Sequence, residues 1–252
     1  MATIAELVRA CDELLQPERF RDAAPNGLQV QGRAQVRRIV SGVTASRALI
    51  EAAIAQQADA VLVHHGLFWR GFEGRITGWL RERLALLLRH DISLLAYHLP
   101  LDAHPELGNN AQLALHLGLT AQARFGEQEL GMLGQRTGGG AFSSAEDLAE
   151  HVQRVLNRPV TLVAPAGGAI QTIAWCSGGA QGMFESAMTA GAQAYLTGEI
   201  SEPQAHLARE CGVAFLACGH HATERYGAPA LGTWLAQQCG VEHAVIDIDN
   251  PA

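Results

Sequence analysis

Three groups of metal-ligating residue types stand far apart in this chain, each directly after an apolar, strand-like run: His64-His65-Gly66, His98-Leu99-Pro100-Leu101-Asp102 and His220-His221-Ala222-Thr223-Glu224. Imidazole nitrogen and carboxylate oxygen are donors that zinc, manganese, iron and cobalt accept, and strand C-termini in α/β folds converge on a common crevice. Together the three groups point to one polynuclear metal centre. Consecutive residues of a regular strand face opposite sides, so His64 and His65 at a strand end suit two neighbouring ions better than one. Pro100 separates His98 from Asp102, which predicts a loop-borne pair there. His220 and Glu224 are also four apart; if a helix begins within that stretch they share a side, where a carboxylate can bridge two cations.

A lone histidine is usually structural, and His90, His116, His151, His206 and His243 read that way among the 11 in the chain. His104 and His221 stay open between an outer hydrogen-bond donor to a ligand and an exposed side chain. Gly178-Gly179-Ala180-Gln181-Gly182 follows a strand, but it lacks the glycine order and the lysine of a phosphate loop and reads as a tight turn. Thr197-Gly198-Glu199 falls at a predicted strand end and could line the crevice. Phe68, Trp69 and Phe72 beside the His doublet read equally as lid or interface aromatics and as core.

At 252 residues with 48% hydrophobic content, the chain can bury a substantial core without a disulfide or metal staple. All 18 positive residues are arginine. That excludes Schiff-base and pyridoxal-linked lysine chemistry. A net charge of -7 argues against a general nucleic-acid footprint. The five cysteines are odd in number, scattered and without a Cys-x-x-Cys pair, so they read as reduced core residues, with Cys218 a small filler. No run approaches the ~18 apolar residues of a membrane helix, and the expectation is a soluble, cytosolic protein.

These side chains need elements to carry them. Thr3 and Glu6 have capping-box spacing ahead of apolar residues at helical intervals, predicting a first helix that ends near Pro17. Strands are predicted at 38–43, 60–63 and 92–96, with helices over about 46–58 and 78–89 between them, so the fold class is α/β with mainly parallel pairing. Residues 121–142 are rich in Gly and Gln and show no period, which predicts a lobe junction or loop. Two related lobes are expected, 1–122 and 123–252, with the last strand able to pack back on the first lobe. Beyond the junction, Ser143 or Ser144 can cap a helix over 145–156, followed by strands at 160–163 and 170–175. Segments 39–65 and 173–199 match without a gap at an offset of 134, which places Glu199 where His65 stands. A strand–helix–strand unit used twice explains this, as does a shared Ala and Gly content.

The chain resembles the Nif-three-like family, also called YbgI-like dinuclear-metal-centre hexameric proteins and labelled GTP cyclohydrolase type 2 homologues. The resemblance covers nearly the whole length and rests on Asn26-Gly-Leu-Gln-Val30, Asp59-Ala-Val-Leu-Val-His-His-Gly-Leu-Phe-Trp69, Tyr97-His-Leu-Pro-Leu-Asp-Ala103, Leu196-Thr-Gly-Glu-Ile-Ser-Glu202 and Cys218-Gly-His-His-Ala-Thr-Glu-Arg225. It implies two divalent ions per chain (Zn, Mn, Fe or Co) held by His64, His65, Asp102, His220 and Glu224. Glu224 would be shared by both ions, and His98 would stand close by. It also implies two α/β lobes with the metals between them, assembled as a toroidal homohexamer. In the early loop, Ala24-Pro25-Asn26-Gly27 departs from the acidic and aromatic residues associated with that position. The expected function is a metal-dependent hydrolase of a small nucleotide-like or pterin-like substrate, with His98 as proton shuttle. The alternative is a non-catalytic metal-handling or regulatory hexamer, and a ring that encircles nucleic acid ranks third.

Overall fold

The computed structural model describes residues 1–165 and 167–252, which form two compact units, Met1–Gly108 with Gly227–Asp249 and Asn109–Tyr226 with Asn250–Ala252. The first unit contains β1 (Ala2–Thr3), α1 (Ile4–Leu15), β2 (Gly27–Val30), β3 (Gln35–Val36), β4 (Arg38–Thr44), α2 (Arg47–Ala55), β5 (Ala60–His65), α3 (Gly78–Arg89), β6 (Ser93–Ala96) and α4 (Leu99–Ala103). The second contains α5 (Asn109–Leu117), β7 (Leu119–Phe125), β8 (Gly131–Arg136), α6 (Ala145–Leu156), β9 (Thr161–Val163), β10 (Ile173–Trp175), α7 (Phe184–Thr189), β11 (Ala194–Thr197), α8 (Glu202–Cys211), β12 (Ala214–Ala217) and α9 (His220–Glu224). The chain then returns to the first unit as α10 (Gly227–Cys239) and β13 (Glu242–Val245).

Each unit is built on one large sheet, and the first also holds the short antiparallel pair β1-β3. In the first the order is β13-β4-β5-β6-β2, parallel except for β2. Ala60–Val63 is buried on both faces, which is why it reads as an unbroken apolar run. In the second the order is β7-β8-β10-β11-β12-β9, with only β10, β11 and β12 mutually parallel. Mainly parallel pairing therefore holds for the first sheet and not for the second, whose β7, β8 and β9 pair antiparallel.

The 134-residue repeat is structural. Ile39 pairs with Ala60 and Ser41 with Leu62, as Ile173 pairs with Ala194 and Trp175 with Leu196. Both sheets then add a third parallel strand and close with an antiparallel edge, β2 against β6 and β9 against β12. The repeat extends to the helices ahead of each sheet. Thr3 and Glu6 form the expected capping box of α1, whose Ile4, Leu7, Cys11 and Leu15 are buried. Ser144 caps α6 by accepting from Asp147 N, and Leu148, Val152 and Leu156 face the second core. An oxygen cap satisfies helix-start N–H groups that would otherwise lack a partner.

Three sequence expectations change. The units divide at Gly108/Asn109 instead of 122/123, because α5 places Leu113, Ala114 and Leu117 in the second core. In return α10 places Ala228, Leu231 and Leu235 in the first core, and β13 pairs parallel with β4, as the packing back of the last strand required. The stretch 121–142 is largely a hairpin of β7 and β8, not a loop. A register shift between Ala121 and Ala123, and exposure of Thr120–Ala123, erase the alternation that would reveal a strand. Finally, Leu99–Ala103 is a short helix despite Pro100, since a proline in the first turn removes only an N–H that has no intrahelical acceptor.

Candidate metal centre

In the first unit β5 ends in His64 and His65. Their ring centroids are 4.6 Å apart, and that of His98, just beyond β6, lies 4.9 Å from His64 and 5.7 Å from His65. One nitrogen from each ring can be chosen so that all three lie within 4.8 Å of one another, a group that could hold a metal ion. His64 is wholly buried, and its Nδ1 is 2.9 Å from the Tyr97 carbonyl oxygen. A carbonyl only accepts, so Nδ1 carries the hydrogen, and it is Nε2 that presents a lone pair whenever the ring is neutral. Asp102 Oδ1 stands 3.5 Å from that Nε2. Two lone-pair donors at this separation suit a shared cation. Nδ1 of His65 is 3.2 Å from Thr44 Oγ1.

His98 is held by the Asp22 loop. Its Nδ1 is 2.7 Å from Asp22 Oδ1, and its backbone N–H donates to Asn26 Oδ1 at 2.7 Å. Asp22 also accepts from Ala24 N at 3.1 Å, Asn26 Nδ2 at 3.0 Å and Leu99 N at 2.9 Å. Burial by itself raises the Asp22 carboxyl, but the hydrogen bonds from His98 and Asn26, with the His98 charge and the Ala24 N–H, outweigh it and hold Asp22 well below the usual carboxylate range.

In the second unit His220 opens α9 and Glu224 closes it, so a helix does begin within that stretch and the i,i+4 pair is helical. His220 Nε2 is 3.1 Å from Glu224 Oε2, and Nδ1 is 2.6 Å from Glu199 Oε1. Hydrogen bonding to Glu224, opposed by burial and reinforced by the charges of Glu224 and Glu199, pushes the imidazole up to about 9. Two glycines make room for these side chains. A Cβ on Gly178, whose φ is +68°, would strike the Glu224 carboxylate, and one on Gly198 would meet the His220 backbone. Thr223 Oγ1 accepts from Gly178 N at 2.9 Å and ties that turn to α9. The glycine turn after β10 is thus a turn, as the sequence indicated, and it abuts a candidate ligand.

The two repeats place their donors alike. Each short helix after the third parallel strand has a histidine at its start and an acid four residues on, His98 with Asp102 and His220 with Glu224. All four imidazoles engage an oxygen through Nδ1: His64 with Tyr97, His65 with Thr44, His98 with Asp22 and His220 with Glu199. Anchoring one ring nitrogen on a carbonyl or carboxylate oxygen fixes the tautomer and is the usual companion of coordination through the other, whereas the Thr44 hydroxyl can donate or accept and orients the His65 ring without fixing its tautomer. The donors present fit a divalent metal.

Asp22 and Thr44 escaped the sequence reading, and Asn26 entered it as part of a family motif without a role at His98. The turn in which Ala24 N donates to the Asp22 side chain is a local cue, but nothing local connects it to His98, 76 positions away. Glu199, by contrast, is marked by the repeat. Of the remaining histidines, His104 Nδ1 accepts from Leu107 N at 3.0 Å, His151 Nε2 sits 2.8 Å from Leu117 O, and His243 Nε2 sits 2.8 Å from Ser41 Oγ. Among the described residues no helix is long and apolar enough to cross a membrane.

Residues 2–251 match the family described as Duf34/NIF3 (NGG1p interacting factor 3). A protein from Neisseria meningitidis serogroup A is 53% identical over 245 residues, covering 96% of each chain, and one from Pseudomonas aeruginosa is 51% identical over 252 residues, covering 99% of this chain and 98% of the relative. Both are named GTP cyclohydrolase 1 type 2 homolog. The solved structure of the protein ybgI, of unknown function, matches with a TM-score of 0.93 at 45% identity, covering 99% of this chain and all of the other. TTHA1606 from Thermus thermophilus matches with a TM-score of 0.89 at 30% identity, covering 99% of this chain and all of the other. Sequence and fold agree over the full span that carries the histidine and carboxylate donors, and the chain belongs to the Duf34/NIF3 family.

Proposed function

We propose that this protein is a dinuclear metal-dependent hydrolase acting on a small nucleotide-like or pterin-like ring. The observation that carries the reading is the common Nδ1 anchoring of His64, His65, His98 and His220, which supports Nε2 as the coordinating or proton-carrying atom of each ring. The proposed ligands are His64, His65, Asp102, His220 and Glu224, with Glu224 serving both ions. When bound, such ions would lower the pKa of a water toward neutrality and offset negative charge that develops on a substrate oxygen.

His98 is proposed as the proton carrier, its Nε2 taking a proton from the attacking water and returning it to the leaving nitrogen. Trp69, 38% exposed, has its ring centroid 5.1 Å from that of His98 and offers a flat surface suited to a planar ring. The cyclohydrolase-homologue name of the relatives agrees with a nucleotide substrate. The test is turnover of nucleotides, GTP included, and of reduced pterins by the chain loaded in turn with Zn, Mn, Fe or Co. Turnover lost on chelation and restored by one of these ions is the expected result. If no loaded form turns over any of them, a metal-handling role replaces catalysis.

A closed homohexamer is part of the same proposal. Ile76, Trp79, Leu88 and Leu115 are each more than half exposed, and closed symmetry would bury such side chains. Light scattering should return about six chain masses, and a monomer mass at every concentration would reject the ring.

A further inference from the structure

The surroundings of Asp22 are asymmetric in a way that assigns it a task. Its side chain is only 4% exposed, and it accepts at both oxygens: His98 Nδ1 and Ala24 N at Oδ1, Leu99 N and Asn26 Nδ2 at Oδ2. Ala24 N, Leu99 N and Asn26 Nδ2 can only donate, which leaves both carboxylate oxygens as acceptors. The imidazole nitrogen facing Oδ1 must then be the protonated one. Glu199, the corresponding partner of His220, has a side chain 46% exposed and holds its ring beside solvent. The loop that bears Asp22 is itself pinned, since Arg70 N donates to Ala23 O at 2.6 Å and Arg70 Nη2 to Asp22 O at 3.0 Å. Arg70 follows Trp69, so the same two bonds tie the indole segment to the Asp22 loop.

We propose that Asp22 is the positioning residue of the centre, an ionised, fully engaged carboxylate that locks His98 in the Nδ1–H tautomer and thereby reserves Nε2 for the reaction. The assignment builds on the hydrolase reading for its purpose, but the lock itself needs neither metal nor substrate. A side-chain amide at position 22 cannot reproduce it. With its oxygen kept toward Leu99 N and Asn26 Nδ2, the amide group turns an N–H toward His98, and the least disruptive answer is for the imidazole to move its proton to Nε2.

The test is nitrogen-15 NMR of the imidazoles in the full-length chain, metal-free and zinc-loaded, at about pH 8.5, two units above the ordinary imidazole value of ~6.5. The His98 signals are assigned by their loss in His98→Gln. Wild type should show Nδ1 protonated and Nε2 bare in both preparations, and Asp22→Asn should move most of the population to the Nε2–H form. Asn26→Ala, which keeps the carboxylate, should retain the wild-type tautomer, separating the lock from general loosening of the loop. Should Asp22→Asn fail to fold, as read by circular dichroism, the wild-type spectrum and Asn26→Ala still decide the matter: a mixed or Nε2–H tautomer in wild type overturns the proposal. So does a folded Asp22→Asn chain that keeps Nδ1–H. Lack of turnover in the loaded wild type would count against the hydrolase and leave these NMR outcomes unchanged.

Discussion

Glu199 Oε1 lies 2.6 Å from Nδ1 of His220, so with Glu224 Oε2 3.1 Å from Nε2 one imidazole is held between two carboxylates. The metal-free ring is therefore a cation at neutral pH, pushed up to about 9. Because this folded-state value lies above the ordinary 6.5, the proton's contribution to stability is present in full below 6.5 and is lost as pH rises through about 9. Coordination at Nε2 must expel that proton, so metal affinity should run the other way and rise with pH up to about 9. Zinc titration calorimetry near pH ~7 in two buffers of different ionisation heat should report proton release, and His220→Gln should diminish it. A zinc affinity that is flat between 6.5 and 9 would contradict the assignment.

Stoichiometry separates a dinuclear centre from a single site. The five proposed ligand residues exceed what one tetrahedral ion accepts, so elemental analysis of reconstituted protein should return about two ions per chain. Glu224→Ala should weaken both ions, whereas His64→Ala and His65→Ala should each weaken mainly one. A value of one or less in the wild type after reconstitution would end the dinuclear reading.

Gly178 and Gly138 both have a positive φ, +68° and +82°, but a Cβ at Gly178 meets the Glu224 carboxylate while one at Gly138 meets open space. Either alanine substitution costs about 1 kcal/mol through backbone strain. Gly178→Ala should cost roughly 1–3 kcal/mol more, since a packed side chain has to shift. It should also weaken metal binding, which Gly138→Ala leaves unchanged. Urea melts of the metal-free variants and zinc titrations of both would show the contrast. Equal losses and equal zinc affinities would mean that Glu224 relocates freely.

His98→Gln distinguishes a proton carrier from a ligand. As a carrier, its loss should leave about two ions bound and lower turnover by ~10²–10⁴-fold, flattening one limb of the pH profile. Departure of an ion on His98→Gln would place His98 in the coordination sphere.

Much of the candidate centre is legible in the sequence alone. The histidines and acids announce themselves because each follows a short apolar strand, and a strand buried in a parallel sheet is a local pattern any window can detect. The register of the repeat is equally visible: the same spacing that aligns Ile39 with Ile173 reappears as Ile39 beside Ala60 and Ile173 beside Ala194. The caps at Thr3 and Ser144 depend on residues three apart and are read as easily.

Tertiary structure alone decided the rest. Asp22 meets His98 across 76 positions, and Tyr97 lends its carbonyl to a histidine 33 positions earlier. No periodicity encodes such encounters, because each arises where two loops come together in space, not where one element repeats. The assignment of α5 to the second core and α10 to the first belongs to the same class, since an amphipathic helix states that it has an apolar face without stating which sheet will cover it. Types of ligand are a property of residues and their neighbours in the chain. The tautomers and charges of the candidate ligands come from partners that only folding supplies.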